Sequence, residues 1–527
     1  MTRQLQTRRQ VARTLYSGGM ELRFCETPMD VERVISADKP GLLIIDADTV
    51  DPSTVQDALG QWMRKSPPRG PTILLSLGEN KEPLFKLLQT YEVANLIAKH
   101  GAIRAVFPLL DERELLVTAQ KVLRKDIFGV EKYVGIWGVP IHRHVLRSMS
   151  DKYDLTHELE GFLTDLEVPS SVVPDMVTVA DELMVNAIVH APRTPKGEPK
   201  YEHLGPDPKL VLEPAEYGEV TWACDGQRFM FGVSDPFGSL SRERVNQYVA
   251  KSFSPSKQAI ETKSSGAGLG LAMAVKRVHQ LVFNIREHER TEVLAGWYLR
   301  VENAGEFRQV SRSLNVFWLS PEVSLTQEMP ALAPPPTALA PKPGAAVRPP
   351  ARTPPPAPSP SKVHPQPSRA LEPRPTGSAA TVKVSSKGLQ VLELKGWIDE
   401  RTTLPETTAA RLDMRGVVGF TSPGVVRWLN FVRGLKGRPV ELVAAPESLV
   451  RLAAQVDGMV GGMKVRSVLS PHECGTCGTN TQLERKLERA MMPTDFPCPH
   501  CGGKVKFVGV EQEYRSLQEM LGAVPGR

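Results

Sequence analysis

Three side chains able to do chemistry stand in a row in the stretch DELMVNAIVHAP, residues 181–192. Glu182, Asn186 and His190 are spaced four apart, so on a helix they stack along one face. Val177, Ala180, Met184, Ala187 and Ala191 follow the three-then-four spacing of a buried stripe. A mostly apolar helix that keeps a carboxylate, an amide and an imidazole in line is a candidate for a site. Two stretches downstream bear on the same question. MFGVSDPFGSL reads as a strand ending on Asp235 with a turn at Gly238, and SSGAGLGLAMAVK places Gly266, Gly268 and Gly270 ahead of an amphipathic helix. Glycines so spaced let a backbone approach a phosphate and leave amide hydrogens free at a helix start. A second chemistry lies near the other end, where CGTC and CPHC supply Cys474, Cys477, Cys498 and Cys501. Four thiolates in two such knuckles close a tetrahedral zinc shell with no open position, which makes the site structural and leaves His500 a bystander.

The elements that position these residues belong to several domains, because 527 residues exceed what one core supports. Six cysteines, four of them in the two knuckles, are too few for a disulfide scaffold and fit a cytoplasmic protein. No run of about 18 apolar residues occurs, so no membrane span is expected. The basic N-terminal stretch lacks the apolar core of a secretory signal. The net charge of +6 is concentrated between residues 330 and 380, where Lys342, Arg348, Arg352, Lys362, Arg369 and Arg374 face only Glu372. The remainder is close to neutral, which argues against nucleic acid as a partner. That same segment, rich in proline, alanine and serine, cannot bury a core and reads as a disordered tether over 321–380, able to span on the order of 100 Å. It would split the chain and isolate its C-terminal half. Ahead of it, MELRF, GLLIIDAD, TILLSLGE and NLIAK alternate with helix-like segments, the pattern of a parallel sheet flanked by helices.

Glu-x-x-x-Asn on a helix, Asp at a strand end and then the glycine box, in this order, resemble the ATP-binding domain of the GHKL superfamily. That group includes histidine kinases, anti-sigma serine kinases, and gyrase and Hsp90-type ATPases. The resemblance covers roughly 145–305 and implies ATP and Mg2+ as cofactors. By it, Asn186 holds the magnesium and Glu182 is the catalytic base. Asp235 accepts from the adenine amino group, and Thr291 helps hold the ring. Gly238 turns the adenine-side loop, and Gly266, Gly268 and Gly270 pack on the phosphates under a lid at 240–265. The chain departs from the pattern at Phe237 and Ser239, where the family has glycines, and no phosphoacceptor-histidine helix precedes the domain. The helix leading directly into DELMVNAIVHA is closer to the anti-sigma serine kinases.

Residues 15–125 resemble a receiver domain. By that likeness Asp46 is the phosphoacceptor, Ser76 the switch hydroxyl and Lys99 the phosphate-binding lysine, but the first strand with its acidic magnesium-binding pair has no counterpart. A degenerate receiver is expected, and a start codon placed too late would reverse that expectation. After the tether, VLELKGWIDE through PESLVRLA resembles a STAS domain, in which Ser422 of FTSPGVV stands at the family's phosphorylatable serine, with Thr421 and Pro423 replacing its neighbours. The simpler reading makes Ser422 a helix cap.

The expected architecture is multidomain, α/β and α+β. It comprises a doubly wound receiver-like domain (1–125), a Bergerat-type GHKL sandwich (126–320), the linker (321–380), a STAS-like domain (381–470) and a zinc ribbon with tail (471–527). The expected function is a bacterial-type signalling protein, a serine kinase or partner-switch regulator whose partners are signalling proteins of STAS, anti-sigma or two-component type. The alternative is a scaffold that binds nucleotide without transferring phosphate. A nucleic-acid-associated ATPase of the gyrase type lacks its basic face. If the two halves act together, the tether lets the Glu182 site reach Ser422.

Overall fold

The computed structural model describes residues 1–65, 70–77, 90, 93–99, 110–135, 138–245, 270–299, 304–321, 379–384, 390–406, 408–435 and 437–522. Gly266, Gly268, most of the expected lid and the expected linker from 322 to 378 lie outside them. The described residues form a multidomain, mixed α/β protein with three sheets.

The largest sheet has nine strands. β1 (Leu43–Asp46), β2 (Thr72–Ser76) and β3 (Asn95–Ala98) are short, apolar and mutually parallel. β4 (His142–Leu146), β5 (Gly218–Cys224), β6 (Arg228–Asp235), β7 (Gln280–Arg286), β8 (Arg290–Tyr298) and β9 (Ser313–Leu319) complete it in the order β1-β2-β3-β9-β7-β8-β6-β5-β4. The joint is the antiparallel pair β3–β9. The sheet therefore runs across the boundary expected at residue 125. Buried polar bonds reinforce the joint: Glu114, on the helix Glu112–Arg124, accepts from Ser313 Oγ at 3.0 Å and Asn315 Nδ2 at 2.9 Å. Mixed apolar packing adds to it, with Val117, Ile127 and Tyr133 in one cluster with Met230, Val282 and Phe317.

The expected strand MELRF does not form. Residues 20–25 carry no regular secondary structure. The three strands β1 to β3 do form, because their near-continuous apolar runs suit a sheet covered on both faces.

The unit after the expected linker contains β10 (Ala379–Val384), β11 (Gln390–Ile398), β12 (Arg411–Phe420), β13 (Glu441–Val443) and β14 (Lys464–Val465), hydrogen-bonded in that order. β11 to β14 are parallel, with the helices Ser422–Gly434 and Glu447–Gln455 between them. A small antiparallel sheet follows, with β15 (Val468–Cys474) between β16 (Asn480–Arg485) and β17 (Val505–Phe507). The last helix, Glu511–Met520, returns to this unit and buries Tyr514 and Leu517 in its core.

An isolated C-terminal half is not what the structure has. The helix Val173–Val185, buried at every residue but Pro174, packs against both β6 and β12. Met273 packs into the core of the C-terminal unit, and Trp397 packs into the core of the N-terminal half. A connecting segment sets only the reach between two units; complementary apolar and charged surfaces decide whether they dock.

Candidate functional site

The row of Glu182, Asn186 and His190 starts on this helix. The helix Val173–Val185 begins with a proline in its first turn, where the missing N–H is no loss, and continues into a π-helical turn, Asn186–His190. Wider turns of this kind concentrate at functional sites. Glu182 is buried, and Asn186 Nδ2 donates to its Oε1 at 3.1 Å. Asn186, His190, Asp235 and Thr291 line one small cavity, together with Arg193, Ser239, Leu240 and Arg244. Its volume of about 60 Å³ is a fraction of what a whole nucleotide fills.

Asp235 and Thr291 face each other across β6 and β8. Burial pushes the Asp235 carboxyl up to about 7, partly opposed by the amides of Phe237 and Gly238, and Phe237 N donates to its Oδ1 at 2.9 Å. Gly238 has φ +56°, and a Cβ there would strike the backbone of Arg286 and His288, so the turn admits only glycine. The altered neighbours Phe237 and Ser239 are accommodated, and Ser239 Oγ donates to Ala191 O at 3.0 Å. Burial lowers the pKa of His190, whose Nδ1 is 3.9 Å from Glu202.

Gly270 sits against Glu182. A Cβ at Gly270 would overlap that carboxylate, so of the glycine box the one described member packs on the candidate base. On the other side stands the C-terminal unit. Ser422 is the first residue of its helix and is 4% exposed; Thr421, not Ser422, is the cap, its side chain accepting from Gly424 N at 3.2 Å. Burial raises the pKa of Glu182, and the facing Ser422 hydroxyl and Asn186 amide temper the rise. The Ser422 hydroxyl nonetheless completes no hydrogen bond of ordinary geometry. It stands beside the carboxylate without being tied to it.

Two buried charge networks hold this juxtaposition. In the first, Lys152 Nζ bonds Asp181 at 2.5 Å and Glu400 at 2.7 Å, and Tyr153 Oη donates to Glu400 at 2.6 Å. Burial alone would pull Lys152 down, but the two carboxylates outweigh it and hold its pKa above the ordinary value. In the second, Asp175 meets Arg451 and lies 3.5 Å from both Arg277 and Arg308. Arg308 in turn pairs with Glu447, and Arg451 is 3.4 Å from Glu513. Lys152, Asp175, Arg277 and Arg308 belong to the N-terminal half; Glu400, Glu447, Arg451 and Glu513 belong to the C-terminal half. Sequence reasoning missed all of them, and the only signal was negative: Lys152 falls on the buried side of its helix.

The residues carried over from the receiver resemblance also converge. Lys99 Nζ lies 2.8 Å from Asp46 Oδ1 and 3.1 Å from Asp48, and Ser76 Oγ donates to Asp48 Oδ1 at 2.9 Å. Thr2 Oγ1 donates to the other Asp46 oxygen at 2.9 Å. This cluster is closed: the carboxylate is buried and both its oxygens are bonded.

The four cysteines come together with their sulfur atoms within 4.8 Å of one another. Cys474 Sγ is 3.4 Å from Cys501 Sγ, and Cys477 Sγ is 3.7 Å from Cys498 Sγ. Gly478 and Gly502 close the knuckles at φ +70° and +72°. The Cys477 and Thr476 amides point at Cys474 and bring its thiol down to about 6, which favours the thiolate that a metal needs. His500 is not part of the cluster. The donor set and its spacing fit a metal ion such as zinc, held by all four thiolates.

No family model matches the chain, and no curated protein matches it. Among solved structures, the crystal structure of the SiaB–SiaC complex from Pseudomonas aeruginosa contains a similar chain. The likeness has 17% identity and a TM-score of 0.21, and covers 35% of this chain and 96% of that one. So slight a likeness carries no functional conclusion. No helix among the described residues is long and apolar enough to cross a membrane.

Proposed function

We propose that the chain is an ATP- and magnesium-dependent signalling kinase of the GHKL type whose phosphoacceptor is Ser422 of its own STAS-like unit. The observation that carries this reading is the placement of Ser422 against Glu182, with Gly270 packed on the same carboxylate. Neither residue has another evident reason to be there. A buried carboxylate without a cation of its own is costly, and a buried hydroxyl without a hydrogen-bond partner is an unmet demand.

In this reading Asp235 and Thr291 take the adenine edge, and Asn186 holds the magnesium that neutralises the phosphates. Glu182 takes the proton from the Ser422 hydroxyl as Oγ bonds the terminal phosphorus. The bond from that phosphorus to its bridging oxygen breaks, and ADP leaves. The phosphoserine then stands at a helix start, where free amides favour its charge. The Asp46 cluster has no open oxygen for a phosphoryl group and is read as structural. The four cysteines hold zinc as a structural centre. Protein partners of the signalling kind would meet the STAS-like unit when it is undocked.

Incubating the full chain with labelled ATP and Mg2+, followed by phosphosite mapping, tests this. Phosphate is expected on Ser422, and is expected to be absent in Glu182→Gln and in Ser422→Ala. ATP hydrolysed with Ser422 unmodified would leave an ATPase whose STAS-like unit only docks. Nucleotide bound but not turned over would favour the scaffold.

A further inference from the structure

The contact between the two halves holds a charge that its central residues do not balance. The Lys152 ammonium bonds one oxygen of Asp181 and one of Glu400, and Tyr153 gives its hydroxyl hydrogen to that same Glu400 oxygen. Lys152 is fully buried, and Asp181 and Glu400 are 3% and 2% exposed. One cation therefore faces two carboxylates, and with both ionised the cluster keeps one negative charge in excess. Among the described residues, the charged groups around it do not cancel that charge. On the helix that carries Asp181, the next residue is Glu182, a further buried carboxylate. In the turn after β11, Arg401 is already engaged by Asp399 at 2.7 Å and lies over the Tyr153 ring, 3.7 Å from its centre. Arg277, the last residue of the helix Gly270–Arg277, is 3.5 Å from Asp175, nearly two turns back from Asp181.

The oxygens left over show where the balance is made. Asp181 Oδ2 and Glu400 Oε2 are buried, and neither has a hydrogen-bond partner. An excess buried charge is costly, and so is a buried polar atom left unpaired. One proton removes the charge and gives one of these oxygens a hydrogen. Two carboxylates that share a site do not both stay ionised cheaply, and here the cost falls on Asp181. Burial pushes its carboxyl up to about 7, whereas at Glu400 the Lys152 ammonium overcomes burial and holds the carboxyl below the ordinary value. When the C-terminal unit leaves, Glu400 goes with it. Asp181 then has Lys152 to itself and meets water, and the extra proton has no further use.

We propose that docking of the C-terminal unit is coupled to the uptake of one proton by the Asp181–Glu400 pair beside Lys152, which makes the contact a pH-sensitive latch. It tightens in acid and loosens above neutrality. A group whose pKa is raised in the docked state stabilises docking fully below its undocked pKa, and that contribution is lost as pH rises through the docked one. The loss therefore runs from the ordinary carboxylate range to just above 7. The latch does not rest on the kinase reading, because it concerns whether the halves meet and not what passes between Glu182 and Ser422.

Undocking is read on the full chain through Met273, which belongs to the N-terminal half and is buried in the core of the C-terminal unit. In Met273→Cys, alkylation by a maleimide is followed at that residue by peptide mass spectrometry. Its rate, divided by that of a free cysteine peptide at the same pH, gives the open fraction, which should rise about tenfold between pH 6 and pH 8. Adding Asp181→Asn or Glu400→Gln leaves Lys152 with one carboxylate, a neutral pair that needs no proton. The open fraction should then stay low and change by no more than about threefold over the same range. An open fraction that does not rise with pH in the Met273→Cys chain would overturn the proposal. So would an added variant that keeps the tenfold rise or that is open at both pH values.

Discussion

Two acidic clusters in this molecule invite comparison. At Asp46 the charges are balanced within one unit: Lys99 lies against the carboxylate, Thr2 takes the other oxygen, and Ser76 bonds Asp48. At Glu182 the balance is spread across two units: Asp181 shares Lys152 with Glu400 from the far half, while Glu182 itself has only an amide and a facing hydroxyl. The two arrangements differ in what they leave unmet. A carboxylate with a lysine and a hydroxyl of its own has both oxygens taken, whereas one that faces a neutral amide and a neutral hydroxyl has no bonded cation.

The largest effect expected from breaking this comparison is catalytic. Glu182→Gln should lower phosphoryl transfer to Ser422 by about 10²–10⁴-fold, the range typical of a lost general base, with ATP affinity little changed. Lys99→Met, which damages the other cluster, should leave the initial transfer rate within about twofold of wild type in that same assay. Equal losses in the two variants would mean that the clusters are not distinct in kind. Asn186→Ala is expected to abolish the magnesium dependence of nucleotide binding in calorimetric titration; unchanged affinity with and without Mg2+ would remove Asn186 from the site.

Next in size is stability. Lys152→Met leaves Asp181 and Glu400 buried without a cation, and breaking such a pair typically costs about 3–5 kcal/mol. Denaturant unfolding monitored in both halves should show the loss, together with earlier undocking of the C-terminal unit. A variant as stable as wild type would show that the network contributes nothing to docking. Zinc removal should reach beyond the ribbon. One zinc per chain is expected by metal analysis, and chelation should also loosen the 379–470 unit, because Leu487, Ala490, Tyr514 and Leu517 lie in its core. Hydrogen exchange confined to 474–507 would refute that spread.

The smallest effect is the pH profile. Burial raises the Glu182 pKa above the ordinary 4.5, and the base acts when ionised, so transfer should rise with pH above the ordinary carboxylate range and then level off. A stopped assay that is flat down to pH 5 would contradict the role. For stability the sign is reversed. A carboxyl whose folded pKa is raised binds its proton better in the native state, so its contribution is lost as pH rises from the unfolded value through the folded one.

What was legible in the sequence was local or periodic. The four-residue spacing of Glu182, Asn186 and His190, the strand-end positions of Asp46, Ser76 and Lys99, and the two cysteine knuckles each imply neighbours: Asn186 bonds Glu182 and shares a cavity with His190, Lys99 meets Asp46, Ser76 and Lys99 both meet Asp48, and the four sulfurs cluster. What was not legible was docking. The bond from Lys152 to Glu400 spans 248 residues and that from Arg451 to Asp175 spans 276, and no hydrophobic period encodes which of many charged residues will be buried against each other. The expected strand MELRF shows the same limit. Its alternation suits an edge strand, but alternation does not supply the partner whose hydrogen bonds a strand requires.

The antiparallel rung between β3 and β9 has a further meaning for how the gene can be divided. Many multidomain chains can be cut at a loop and their pieces studied apart. Here a fragment ending near residue 125 loses β9 and exposes the edge of β3, and a fragment beginning there exposes β9. Either piece then carries a raw, apolar sheet edge of the kind that recruits other strands indiscriminately. Laboratory truncations at that loop should clump, and by the same logic a recombination event there would seldom yield two working proteins.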